Sequence, residues 1–135
     1  MNRRKFLALS ATLSLAPLGL RAGESVLYTP GLAEAAMDAG ETVLLDFWAS
    51  WCSTCATQAR VLAALKAENP AYVENIRFFT VDWDAHGDGE LSRALRIPRR
   101  STLVALRGRT ELGRIVAGTS RREIQALLDT ALAAT

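Results

Sequence analysis

The stretch Thr42-Val43-Leu44-Leu45-Asp46-Phe47-Trp48-Ala49-Ser50-Trp51-Cys52-Ser53-Thr54-Cys55 decides the fold. Thr42–Trp48 is almost continuously apolar, which predicts a strand covered on both faces. Cys52 and Cys55 then stand three positions apart at the head of a helix predicted to run from about Cys52 to Glu68. Val61, Leu62 and Leu65 fall at core spacing along it. Residues three apart on a first helical turn share one side, within the Cα separation that a disulfide needs. A thiolate in that place meets free N–H groups and the positive end of the helix dipole. Such cysteines have pKa values lowered to about 3.5–7.5, so a reactive thiolate exists at neutral pH. Redox chemistry is the first reading of this pair; a structural disulfide or two buried thiols is the bland one.

Working outward, Ser25–Tyr28 reads as a short first strand. Thr29-Pro30 reads as an N-cap followed by proline at the first helical position, with Leu32, Ala35, Ala36 and Ala39 on one face and Gly40 closing the helix. Asn69-Pro70 is expected to stop the long helix, and Ile76–Trp83 to form a second buried strand. Gly87-Asp88-Gly89 leads into a short helix with Leu91, Ala94 and Leu95. Ser101–Leu106 and Glu111–Ala117 read as strands joined by the tight turn Arg107-Gly108-Arg109. Ser120-Arg121-Arg122-Glu123 is a capping box opening a last helix striped by Ile124, Leu127, Leu128 and Ala131. The order β-α-β-α-β-α-β-β-α implies an α/β domain, a central mixed sheet with helices on both faces.

The chain has 135 residues, half of them hydrophobic and 22% charged, enough for one packed domain. Its formal charge of +2 owes much to Arg3, Arg4, Lys5 and Arg21. Beyond them, 12 basic side chains face 14 acidic ones, so binding to nucleic acid has no electrostatic support. Two cysteines are too few for a disulfide scaffold, and with His86 the only histidine a closed structural zinc site lacks ligands.

Residues 1–22 read as a signal peptide: a basic start, an apolar stretch from Phe6 to Leu20, and small residues near Ala22. Asn2-Arg3-Arg4-Lys5-Phe6-Leu7 is similar to the twin-arginine export motif. A general secretory signal or an uncleaved anchor are the alternatives. Residues 23–135 are then one exported domain, expected in the periplasm, with membrane contact through the leader alone.

From Asp46 to Cys55 the chain resembles the thioredoxin family, in which a buried strand ends in Trp-Cys-x-x-Cys at the start of a helix. The likeness extends over residues 26–132 and implies a thioredoxin-like three-layer α/β/α fold. It makes Cys52 the exposed nucleophile and Cys55 the resolving thiol, with no cofactor beyond the Cys52–Cys55 disulfide. Asp46, an acid inside an apolar run, is expected to be desolvated and to accept a proton from Cys55; an aspartate merely paired with a cation is the alternative. By the same resemblance Trp51 is contact surface beside the dithiol, Trp48 packs beneath it, and Arg100, Ser101, Thr102 and Gly118 contact substrate. A plain turn explains Gly118 equally well.

Three positions depart from the family. Ser101 stands where thioredoxins carry a cis-proline, and its preceding peptide is expected trans, since a non-proline cis bond costs about 2.5–4 kcal/mol. Its hydroxyl is free to face Cys52, bond the thiolate, or change how a substrate strand is held. Arg60 replaces a helix-kinking proline, and Thr80 a lysine near the buried acid. Arg96, Arg99 and Arg100 crowd the loop expected to face the dithiol, where they either favour a thiolate and an acidic partner or form a solvated basic loop. His86 is expected to be a loop residue, and Asp82 and Asp84 a solvated strand end.

These readings point to a thiol–disulfide oxidoreductase acting on protein thiols and disulfides, in the reductase or isomerase direction. It is expected to be a monomer supplied by an upstream electron donor or acceptor protein. The alternative is a soft-metal module, holding Cu(I) or an iron–sulfur cluster by the same cysteines, although two ligands per chain under-coordinate any metal.

Overall fold

Seven residues of mostly apolar chain, Thr42–Trp48, form the central strand of a five-stranded sheet in a computed structural model that describes residues 24–135. The expected leader, residues 1–22, lies outside the described residues. In chain order the elements are β1 (Val26–Leu27), α1 (Leu32–Asp38), β2 (Thr42–Trp48), α2 (Ser53–Glu68), α3 (Pro70–Asn75), β3 (Arg77–Asp82), α4 (Trp83–His86), α5 (Glu90–Ala94), β4 (Thr102–Arg107), β5 (Thr110–Val116) and α6 (Arg121–Ala133). The sheet order is β1-β3-β2-β4-β5; β2 runs parallel to β3 and antiparallel to β4, which makes the sheet mixed.

Successive β2 side chains go to opposite faces. Val43, Leu45 and Phe47 join Ala33, Ala36 and Met37 of α1, with Phe79, Leu91 and Ile97, in one core. Leu44 joins Leu62 and Leu65 of α2, Tyr72 of α3 and Ile124, Leu127 and Leu128 of α6 in the other. Both faces of β2 are buried, which is why its sequence does not alternate. The result is the expected three-layer α/β/α arrangement. No helix among the described residues is long and apolar enough to cross a membrane.

Several boundaries differ from expectation. The first helix is capped by Gly31, in the left-handed region at φ 92°, whose N–H donates to Glu34 Oε2 at 3.1 Å. Thr29 and Pro30 precede it, and the packed face is Ala33, Ala36 and Met37 while Leu32 stays 38% exposed. An alanine-rich helix has little apolar contrast around its circumference, so what it packs against decides its face.

Asn69-Pro70 ends the long helix after Glu68, as expected, but it also opens a further short helix that was not expected. The Asn69 N–H closes α2 on Leu65 O, and its side chain then accepts the Ala71 N–H to cap α3, which begins at Pro70. A proline that cannot continue one helix is preorganised to start the next. Asp82 likewise caps α4 by accepting the Asp84 N–H at 3.0 Å, so β3 ends before Trp83. In the short α5, Leu91 and Ser92 are buried and Ala94 is exposed. The final helix starts as expected at Ser120, whose hydroxyl accepts the Glu123 N–H.

Candidate active site

The buried end of β2 delivers Ala49, Ser50 and Trp51 to the head of α2, where Cys52 is the N-cap with φ −91° and ψ 110°. An N-cap side chain ordinarily offers an oxygen to the unpaired N–H groups of the first turn. Here a sulfur does so: Cys52 Sγ accepts the Cys55 N–H at 3.1 Å. Cys52 and Cys55 form a disulfide with Cα atoms 5.2 Å apart, inside the usual range. The expected exposed nucleophile is covered more than anticipated. Cys52 is 5% exposed and Cys55 0%, because Cys52 turns inward to pack with Ala49, Cys55, Trp48 and Trp83.

Ser101 closes the site from the loop before β4. Every peptide bond among the described residues is trans, the one before Ser101 included. Ser101 has φ 62°, is fully buried, and places its hydroxyl 3.1 Å from Cys52 Sγ and 3.2 Å from Cys55 Sγ. Its backbone is fastened on three sides: its N–H donates to Phe47 O, and its carbonyl accepts from the Ala117 N–H and from Gln58 Nε2.

Gln58 escaped the sequence reading. It is fully buried one turn after Cys55, and its Nε2 also donates to Gly118 O at 2.9 Å. The signal was present: Cys55, Gln58, Leu62 and Leu65 share the spacing of one buried helix face, and a polar residue in that row demands partners. The turn at Gly118 is too crowded for a side chain, since a Cβ there would fall 2.7 Å from Ile115 Cγ2 and 2.8 Å from Glu123 Oε2.

Trp51 is the exposed residue of the group, at 59%. Its indole N–H donates to the Asp84 carboxylate, at 3.1 and 3.0 Å from the two oxygens, and the Arg100 guanidinium sits 4.5 Å from its ring centroid. Asp84 is exposed, as expected, but it lies on α4 rather than at the end of a strand. Of the three arginines in this loop only Arg100 stacks on the Trp51 ring; Arg99 Nε donates to the Arg100 carbonyl, and the Arg96 carbonyl accepts from Arg114. Thr102 is fully buried and its hydroxyl donates to Arg99 O at 2.7 Å, so that side chain braces the loop. His86 ends α4 with its ring edge-on to Tyr28.

Asp46 lies on the α2 side of the sheet and has one carboxylate oxygen without a hydrogen-bond partner. It lines a cavity of about 380 Å³ with Leu44, Ala59, Leu62, Lys66 and Phe78. Burial raises its pKa to about 7, against a smaller lowering by the Lys66 charge. Thr80 does not supply a cation; its hydroxyl pairs with Ser25 at 2.6 Å. The cation comes instead from Lys66 of α2, whose ammonium lies 3.9 Å from the Phe78 ring centroid and whose own pKa burial lowers. Lys66 too was missed, because a lysine after Leu65 reads as an ordinary solvated helix position.

Among the described residues no three His, Cys, Asp or Glu side chains gather to hold a metal ion. Nothing found supports the soft-metal alternative.

The thioredoxin family profile matches residues 29–130. The chain is 30% identical to thioredoxin H2-1 of Oryza sativa subsp. japonica over 99 residues, 73% of this chain and 67% of that protein. It is 30% identical to a thioredoxin of Echinococcus granulosus over 95 residues, 70% of this chain and 82% of that one. Among solved structures it is similar to Trxlp of Edwardsiella tarda, with a TM-score of 0.66 and 31% identity, covering 76% of this chain and 98% of the other.

Proposed function

We propose that this chain, which belongs to the thioredoxin family, reduces or isomerises disulfides of protein partners in the cell envelope. It is a thiol–disulfide oxidoreductase that works with its own dithiol and needs no cofactor. The observation that supports the dithiol chemistry is the Cys52 sulfur at the head of α2, receiving the Cys55 N–H with Cys55 itself one turn away.

Cys52 is the nucleophile and Cys55 the resolving thiol. In the reduced chain the Cys52 thiolate attacks a partner disulfide, forming a mixed disulfide and releasing one partner thiolate. Cys55 then loses its proton and attacks Cys52 Sγ; the Cys52–partner bond breaks and the second partner thiol leaves. Of the two cysteines Cys52 keeps the greater exposure, which suits it to the first step. Asp46, with a pKa near neutrality and a cavity at its side, is the base for the Cys55 proton. Trp51 and Arg100 supply the partner-facing surface.

The envelope location rests on the character of residues 1–22, with their paired arginines and apolar stretch. The reducing direction rests on the likeness to thioredoxins, and its electrons come from an upstream donor protein. A monomer is the proposed form.

An insulin-type reduction assay tests the activity. The wild type accelerates reduction, and Cys52→Ser and Cys55→Ser do not; a wild type no faster than these variants removes the reading. Fractionation of cells expressing the full chain tests the location.

A further inference from the structure

We propose that Ser101 is a further catalytic residue, one hydroxyl that serves both sulfurs and stabilises the thiolate on whichever of them is reacting. The proposal rests on the oxidoreductase reading and deepens it.

The position is built for this. Ser101 is fully buried, so its hydroxyl has no water to bond, and the two sulfurs at 3.1 and 3.2 Å are its hydrogen-bond partners. A φ of 62° is unfavourable for a residue with a Cβ, and three backbone bonds, to Phe47 O, from the Ala117 N–H and from Gln58 Nε2, hold it there. Strain that is over-determined by its surroundings is characteristic of working sites.

A serine hydroxyl has one hydrogen to donate and lone pairs to accept with. The reduced site offers the complement. The Cys52 thiolate can only accept, and the neutral Cys55 thiol has one hydrogen to give. Ser101 therefore donates to Cys52 Sγ and accepts from Cys55 S–H, while Cys52 also keeps the Cys55 N–H. In the disulfide neither sulfur has a hydrogen, so the accepting half of the arrangement is lost. The donating half then meets a neutral sulfur and weakens, because hydrogen bonds to charged acceptors are about twice as strong as neutral ones. Ser101 thus favours dithiol over disulfide.

The hydroxyl also serves the resolving step. Once Cys52 is bonded to a partner it carries no charge, and the Ser101 hydrogen turns to Cys55 Sγ. It stabilises the thiolate that forms there as the proton leaves to a base. The Cys55–Cys52 bond forms, the Cys52–partner bond breaks, and its electron pair departs on the partner sulfur, which takes a proton from water.

Ser101→Ala and Ser101→Gly test this, the second also relieving the backbone strain. Both leave the other charged groups around the dithiol in place: Arg100 before β4, Asp84 on α4, Asp46 on β2 and Lys66 on α2. The pH dependence of Cys52 alkylation in the reduced chain is expected to move up by about one unit in each variant. The dithiol–disulfide equilibrium is expected to shift about tenfold toward disulfide, roughly 30 mV. Mixed disulfides with a partner peptide are expected to persist about tenfold longer. A Cys52 midpoint and an equilibrium that stay at wild-type values in either folded variant overturn the proposal, and so does a wild-type midpoint at the free-cysteine value of about 8.5. Wild-type exchange activity is measured beside them: if it is present while the variants titrate like the wild type, only the role of Ser101 falls.

Discussion

The backbone N–H of Cys55 points at the sulfur of Cys52, 3.1 Å away, so the dithiol caps the helix that carries it. An N–H donor and the positive helix end both favour the charged form of that sulfur. In the reduced chain Cys52 is expected to alkylate with a midpoint within about 3.5–7.5. Thiolate ultraviolet absorbance against pH checks this. The low-pH component is expected to vanish in Cys52→Ser and survive in Cys55→Ser.

Asp46 makes stability depend on pH. Its native pKa is about 7, raised by burial, while the unfolded carboxyl titrates near its ordinary value of about 4. Between those values the folded chain holds a proton that the unfolded chain has released. Stability is therefore greatest on the acid side of the window and falls as pH rises through it, by on the order of 2–3 kcal/mol between pH 5 and pH 8. Urea unfolding of the oxidised protein is expected to show this fall, and Asp46→Asn to flatten it. A variant with the same fall as the wild type would falsify the assignment.

Lys66 opposes that shift. Lys66→Met removes the charge that lowers the Asp46 pKa and retains most of the apolar stem. The carboxyl midpoint, read by infrared or carbon-13 titration, is expected to move further up. A midpoint that stays put or falls removes Lys66 as its electrostatic partner.

Trp51 presents its ring outward between Asp84 and Arg100. Trp51→Ala is expected to lower kcat/KM toward a protein disulfide about tenfold, since exposed aromatic anchors dominate such contacts. Stability in urea is expected to change by no more than about 0.5 kcal/mol, as for most surface substitutions. Equal losses toward a protein and a small disulfide would instead place Trp51 in the chemistry.

Gln58 joins the loop before β4 to the turn before α6 through two carbonyls. Gln58→Leu leaves Gly118 O without this donor, while Ser101 O keeps the Ala117 N–H. A loss of about 1 kcal/mol is expected in denaturant titration. An unchanged midpoint would show that water replaces the amide.

The local parts of the site were legible because they obey short-range rules. An almost continuous apolar run marked β2, the spacing of the cysteines placed both at one helix head, and Ser120 marked the start of α6. Other elements carry weak local signals. Asn69-Pro70 marks the end of the long helix, but nothing local announces the helix Pro70–Asn75, because the same residues end one helix and cap another. The packed face of α1 is not legible locally, because alanines look alike on every side.

What the sequence determined alone is a dithiol at a helix N-terminus inside an α/β domain, since both depend on contacts a few residues long. Which side chains complete the site was decided by the sheet. Asp46 lies opposite Leu103 in the antiparallel pairing of β2 with β4, and that register carries Ser101 from 49 residues away onto Cys52. Lys66 and Gln58 owe their roles to the side on which α2 packs. Hydrogen bonds and charges act over a few ångströms of space, and only the folded backbone turns distant positions of the chain into neighbours at that range.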